Sequence, residues 1–336
     1  MRLVFALLLA PLLLASQGAR PVYAVAYVVN SLADTIANDT FCTLREAILA
    51  ANNASANASC GPGSAGNDTI TFSVSGTITL GLFLPNIVSG AGTLTIDGGG
   101  QTITISGNNA VRVMIVDSGA DLTLRNLTIS NASTPFSGGG VANSGTLTVS
   151  NSTFSSNSAG SGGGIVNLSS GTLTVSSSTF SGNSANFGGG IDNASGAVTV
   201  TNSTFSGNRA TNGGGVFING GNTTLRNTLI SNSEDGGDCE DTLSGTNNNN
   251  LIESTGSACG LTNGANGNII GQDPNLGALT GSPAYFPLNA GSPALNAGNN
   301  ASCAATDQRG VSRPQGGQCD IGAFEMGVVA LPLVIR

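Results

Sequence analysis

The chain has 336 residues, of which 50 are glycine, only 8% are charged and only 4% are aromatic. All ten basic residues are Arg, and His, Trp and Lys are absent. This excludes His-dependent nucleophiles, imidazole metal sites, Schiff-base lysines and the P-loop lysine. A formal charge of −8 with no basic cluster also argues against a nucleic-acid partner.

Met1-Arg2, the apolar run Leu3 to Leu14 and the small residue of Val22-Tyr23-Ala24 predict a signal peptide over 1–24, with the mature chain starting at Val25. The run is too short to span a bilayer and Pro11 interrupts it, so no transmembrane helix is expected in the mature chain. Six Cys in an exported chain favour disulfides over metal ligands. They allow 15 connectivities. Their clustering favours Cys42 with Cys60, Cys239 with Cys259 and Cys303 with Cys319, as staples at the ends of the molecule.

One helix is expected, over Leu44 to Asn52. Thr43 and Glu46 have capping-box spacing, and Leu44, Ala47, Ile48 and Ala51 form a one-sided apolar stripe. Short alternating segments follow at 68–72, 77–80, 94–96, 103–105 and 113–115, which is strand period. The pattern then becomes a repeat. The apolar anchors Ile129, Phe154, Phe180, Phe205 and Ile230 advance by 25, 26, 25 and 25 residues. Glycine triplets beginning at Gly138, Gly162, Gly188 and Gly213 keep step, as do Leu122, Leu147, Leu173 and Val198. A unit of about 25 residues holding two or three short strands and no helix is one coil of a parallel β-solenoid. Stacked coils place the Phe residues in one column, and Asn157, Asn183 and Asn208, three residues later, in a hydrogen-bonding ladder. After Ile230 the pattern loosens, with sparse strands near Leu251-Ile252 and Asn268 to Ile270.

Three segments then resemble known families. Val28 to Thr35 with Phe41-Cys-Thr-Leu-Arg-Glu-Ala-Ile48 resembles the CSLREA domain of exported bacterial surface proteins, with Thr43 in place of the motif's Ser. The Gly-Gly-Gly-Ile/Val and Thr-Phe-Ser-x-Asn repeats resemble those of polymorphic outer-membrane proteins. Gly140, Gly164, Gly190 and Gly215 stand where that motif has Ala, a change that a corner tolerates. Ser292 to Gly298, Asp307-Gln-Arg-Gly310 and Cys319 to Glu325 resemble the choice-of-anchor Q domain. The resemblance implies a right-handed parallel β-helix on or outside the cell surface, and no assigned activity.

The expected organisation is a signal peptide (1–24), an N-terminal cap (25–66), a β-helix (67–270, most regular over 122–232), a disulfide-stapled C-terminal cap (271–325) and a short apolar tail (326–336). Polysaccharide lyases and hydrolases need convergent carboxylates, yet Asp192 is the only acid between Leu122 and Ser233, and the adjacent coils carry Val166 and Phe217 at its position. Asp97, Asp117 and Asp121 are spread apart and read as turn chemistry. Glu234, Asp235, Asp238, Glu240 and Asp241 form the one dense acidic cluster. A solvated loop is the first reading of it and a calcium loop the alternative, so calcium is the one cofactor in question. Asp307, Arg309, Arg313, Asp320 and Glu325 read as a salt-bridged network of the C-terminal cap. Thr95, Thr123, Thr148, Thr174, Thr199 and Thr224 form an outward row. The sequence therefore points to a non-catalytic extracellular or cell-surface protein, adhesin-like or structural, whose partner is a surface molecule or a polysaccharide. A polysaccharide lyase or hydrolase is the second reading and a glycan- or ice-binding module the third.

Overall fold

The computed structural model describes residues 24–53, 59–63, 66–168 and 170–327. The expected leader (1–23 of it) and the tail beyond Gly327 lie outside the described residues. Three parallel sheets wind into a right-handed β-helix. The first has eight strands, from β1 (Ala26–Val29) to Asn222–Arg226, with β2 (Asp68–Phe72) paired directly to β1. The second has nine, from Gly76–Thr79 to Ile269–Ile270, and the third six, from Met114–Val116 to Cys239–Glu240.

Each regular coil contributes one strand to each sheet. In one coil these are Thr146–Ser150, Thr153–Ser155 and Ile165–Asn167. Register follows the repeat, because only identical offsets keep the apolar set of every coil on the inside. Ile78, Ile105, Ile129, Phe154, Phe180, Phe205, Ile230, Ile252 and Ile270 stand rung above rung. The three Phe rings stack with centroids 4.9 and 4.6 Å apart and planes 7° from parallel. Such pairs add about 0.5–1.5 kcal/mol beyond the area they bury.

The third glycine of each triplet is hemmed in both by the backbone of the next coil and by that column. A Cβ on Gly164 would lie 2.5 Å from the Gly190 carbonyl oxygen and 3.0 Å from the Phe180 ring. The corner is therefore closed to Ala, and the expected tolerance works in one direction only. The first glycine has a different reason: Gly138, Gly162, Gly188 and Gly213 have φ between 59° and 73°.

Corners carry the polar interior. Asn157 Nδ2 donates to Asn183 Oδ1, and Asn183 Nδ2 to Asn208 Oδ1, both at 2.9 Å. Each of these Oδ1 atoms also accepts a backbone N–H from the preceding turn. A second ladder, unread in the sequence, runs Asn143, Asn167, Asn193 and ends on the Thr223 hydroxyl. Its members recur at 24 and 26 residues, so the signal was present.

At the N-terminal end α1 (Leu44–Asn53) packs Leu44, Ala47 and Ile48 fully into the core. Glu46 Oε2 accepts the Thr43 N–H at 3.0 Å, and the Thr43 hydroxyl oxygen accepts the Glu46 N–H at 3.3 Å, completing the capping box. β1 is the first rung of the solenoid, which therefore begins inside the segment expected to be only a cap. The structure bonds Cys42 to Cys60, Cys239 to Cys259 and Cys303 to Cys319.

The disulfide-stapled C-terminal region is placed differently from expectation. It folds back along the flank of the β-helix instead of sitting across its far end, so Cys303–Cys319 braces the body. The reason is the outward column Thr153, Thr179, Thr204, Leu229, Leu251 of the second sheet. Gln308 bridges the hydroxyls of Thr153 and Thr179, and the Ala323 N–H donates to the Thr204 hydroxyl. Beyond them Leu229 and Leu251 bury against Leu288, Ala294, Ile321 and Phe324. Hydroxyls lie under the polar part of this strap and leucines under its apolar part.

Gly164→Ala is expected to cost about 1–3 kcal/mol through overpacking. Gly256→Ala, where an added Cβ meets nothing within 4 Å, should stay within about 0.5 kcal/mol. Urea unfolding of the two variants checks the contrast.

Candidate functional site

The acids of the coil faces do not converge. Asp97 and Asp121 lie on adjacent strands but at opposite ends, since Thr93 faces Asp121 and Asp97 faces Arg125. Four residues of strand separate them by about 13 Å, beyond the roughly 5–10 Å that glycoside hydrolysis needs. Asp97 is also occupied, by Arg125 at 2.8 Å and by Asn126 Nδ2 at 2.7 Å. Asp121 accepts from the Thr93 hydroxyl and Asp117 from Asn86. Among the described paired strands, no acid faces an acid on the next coil.

Asp192 faces Val166 on one side and Phe217 on the other, as the repeat spacing implies. It points outward from the third sheet, yet it is only 3% exposed and its Oδ1 has no hydrogen-bond partner among the described residues. Burial pushes its carboxyl up to about 6, and the Ser161 side chain offsets part of that rise.

The acidic loop is divided among separate tasks. Asp235 pairs with Arg209 at 2.7 Å on the surface. Asp238 turns inward, accepting the Ser254 N–H at 2.7 Å and the Ser233 N–H at 3.3 Å. Glu240 lies on the last strand of the third sheet, paired with Phe217, and Asp241 has a left-handed φ of 74°. The structure does not bring Glu234, Asp235, Asp238, Glu240 and Asp241 together. Among the described residues no three His, Cys, Asp or Glu side chains are grouped to hold a metal ion.

The C-terminal acids do converge, around Arg313. Its guanidinium donates to the Asp320 and Gly322 carbonyls and lies 3.7 Å from Glu325. Burial pushes the Asp320 and Glu325 carboxyls up and the Arg313 guanidinium down. Asp307, fully buried, takes the Arg309 side chain and the N–H groups of Arg309, Val311 and Glu325. Every one of these contacts lies within the strap, which is the work of a structural network.

The strap is held by a row of corner side chains. Asn126, Asn151, Ser177, Asn202 and Asn227 all adopt φ between 44° and 57° where the chain passes from the first sheet to the second. Asn227 brackets Asn299, accepting its N–H at 2.7 Å and donating to its carbonyl at 3.1 Å. Asn202 accepts the Ala304 N–H and Ser177 donates to the Thr306 carbonyl. Sequence reading missed this rail, although its Asn-Ser/Thr spacing is visible, because nothing local says what the side chains grip. Beside Asn151 and Asn126 the rail opens onto a polar groove of about 240 Å³, floored by Gly98 to Gly100 and walled by Pro283 and Arg309.

Residues 137–273 match the family model described as right handed beta helix region. No curated protein matches the chain. Among solved structures, the crystal structure of jun a 1, the major allergen from cedar pollen, is similar with a TM-score of 0.41 and 15% identity, over 80% of this chain and 85% of that chain.

A folded-state carboxyl raised from 3.8 to about 6 favours the fold below pH 4 and loses that contribution as pH rises through 6. The stability difference between Asp192→Asn and the parent should therefore be near zero at pH 4. It should grow to at most about 3 kcal/mol in favour of the variant by pH 7.5, at 1.36 kcal/mol per unit; urea unfolding across that range reads it. Arg313→Met leaves buried carboxylates uncompensated and should cost about 3–5 kcal/mol at neutral pH. Part of that loss should return on acidification as Asp320 and Glu325 protonate, which thermal unfolding at two pH values would show.

Proposed function

We propose that this chain is a non-catalytic extracellular or cell-surface protein, a rigid adhesin-like or matrix component. The observation that carries the reading is the register. The stacking that aligns Phe with Phe and Asn with Asn leaves each acid of the coil faces beside a neutral or basic neighbour, so among the described strands no two carboxylates face each other across adjacent coils. Asp97, Asp117 and Asp121 are spent on neighbouring side chains. Three disulfides support an oxidising compartment. What remains outward on the coil faces is largely uncharged, including the aligned Thr row of the first sheet. Its companion row, Thr93, Thr146 and Thr172, is broken at the positions of Asp121, Ala197 and Asn222.

The mature chain, residues 25–336, incubated with acidic and neutral polysaccharides with and without calcium, is expected to release neither new reducing ends nor unsaturated uronates. Product release that falls with Asp192→Asn or Asp97→Asn would replace this reading with a lyase or hydrolase, and release only with calcium would return the Glu234–Asp241 loop to the site.

A further inference from the structure

The rail recognises main chain. On its covered rungs Asn227, Asn202 and Ser177 bond peptide N–H and C=O groups of the strap, at Asn299, Ala304 and Thr306, and the one strap side chain they reach is the Cys319 sulfur, 3.7 Å from Asn227 Nδ2. Asn151 continues the rail with the same left-handed backbone, φ 48°, but its carboxamide bonds nothing among the described residues. It faces the polar groove, across which stands Arg309. That guanidinium is held in place from three sides: over the Phe324 ring at 3.8 Å, against Asp307 at 2.6 Å, and by the Glu325 carbonyl. Its Nε and Nη2 make those bonds, which leaves Nη1 without a partner among the described residues. The groove floor is glycine, and nothing lies within 4 Å of where a Cβ on Gly100 would sit, so a backbone can approach closely.

We infer that this groove docks an extended polypeptide segment of another molecule by its main chain. The Asn151 carboxamide brackets one peptide unit as Asn227 brackets Asn299, and Arg309 Nη1 donates to a further carbonyl. Recognition of this kind selects extended, uncommitted backbone and tolerates varied side chains. A saccharide would also meet carboxamides here. The chemistry shown on the strap-covered rungs is peptide chemistry, and it decides between the two. The inference goes beyond the non-catalytic reading and stands or falls separately from it.

The probe is a synthetic peptide with the sequence of residues 299–306, Ser replacing Cys303, titrated into the mature chain while the Asn151 carboxamide is followed by NMR. Saturable shifts at Asn151 and Arg309 are expected. Asn151→Gly, which keeps the left-handed turn without strain, should weaken the peptide about tenfold, the loss of one to two hydrogen bonds. It should leave the melting temperature unchanged, whereas Asn227→Gly should lower it by loosening the strap. Absence of shifts, or shifts that survive Asn151→Gly, would overturn the inference. So would shifts produced by a neutral cello-oligosaccharide and not by the peptide, which would assign the groove to sugars.

Discussion

Every coil of this molecule must accept, at each position, the same position of the coil above and below. Parallel pairing at about 4.8 Å imposes that demand on the backbone, and the side chains have to comply. Like then stacks on like. Phe meets Phe at van der Waals distance, carboxamide donates to carboxamide, and Gly140, Gly164 and Gly190 give up their Cβ to the ring beside them. A charge stacked on the same charge is what this geometry cannot hold, and the coil composition answers with Ser, Thr, Asn and Gly in place of ions. The low charge and the fold are one fact.

The same rule shapes the electrostatics. Five of the seven Arg residues in the described chain sit in ion pairs. The other two, Arg112 and Arg226, donate to backbone carbonyls. Arg45 ties Asp34 to the carbonyls of Leu82 and Phe83, fastening the N-terminal cap to the segment that follows strand Gly76–Thr79. Apart from Asp97 and Arg125, which face each other on paired strands, these ion pairs fasten segments outside the three main sheets. Asp192 departs from that pattern, a buried carboxylate whose Oδ1 has no partner among the described residues.

The strap shows how a repeat gains a second, non-repeating layer. Its rail consists of residues that must be left-handed to turn the corner, and Asn is the side chain that both tolerates that conformation and offers a donor and an acceptor. A requirement of the corner thus becomes a recognition surface. Where the column beside the rail changes from Thr to Leu, at Leu229, the strap changes from Gln308 and bare amides to Leu288, Ile321 and Phe324.

The amino-acid sequence alone determined the solenoid, its register, the Phe column, the first Asn ladder and the capping helix, because these depend on spacing, and spacing is written along the chain. Tertiary structure alone decided that the C-terminal region lies on the flank, that Asn202 and Asn227 hold it, that the acids at 234–241 part company and that Asp192 is buried. Those outcomes depend on which surfaces meet across 70 or more residues, or on what covers an outward strand position. Period-2 alternation labels Thr204 and Leu229 by face, but it carries no information about a partner layer that does not share the period.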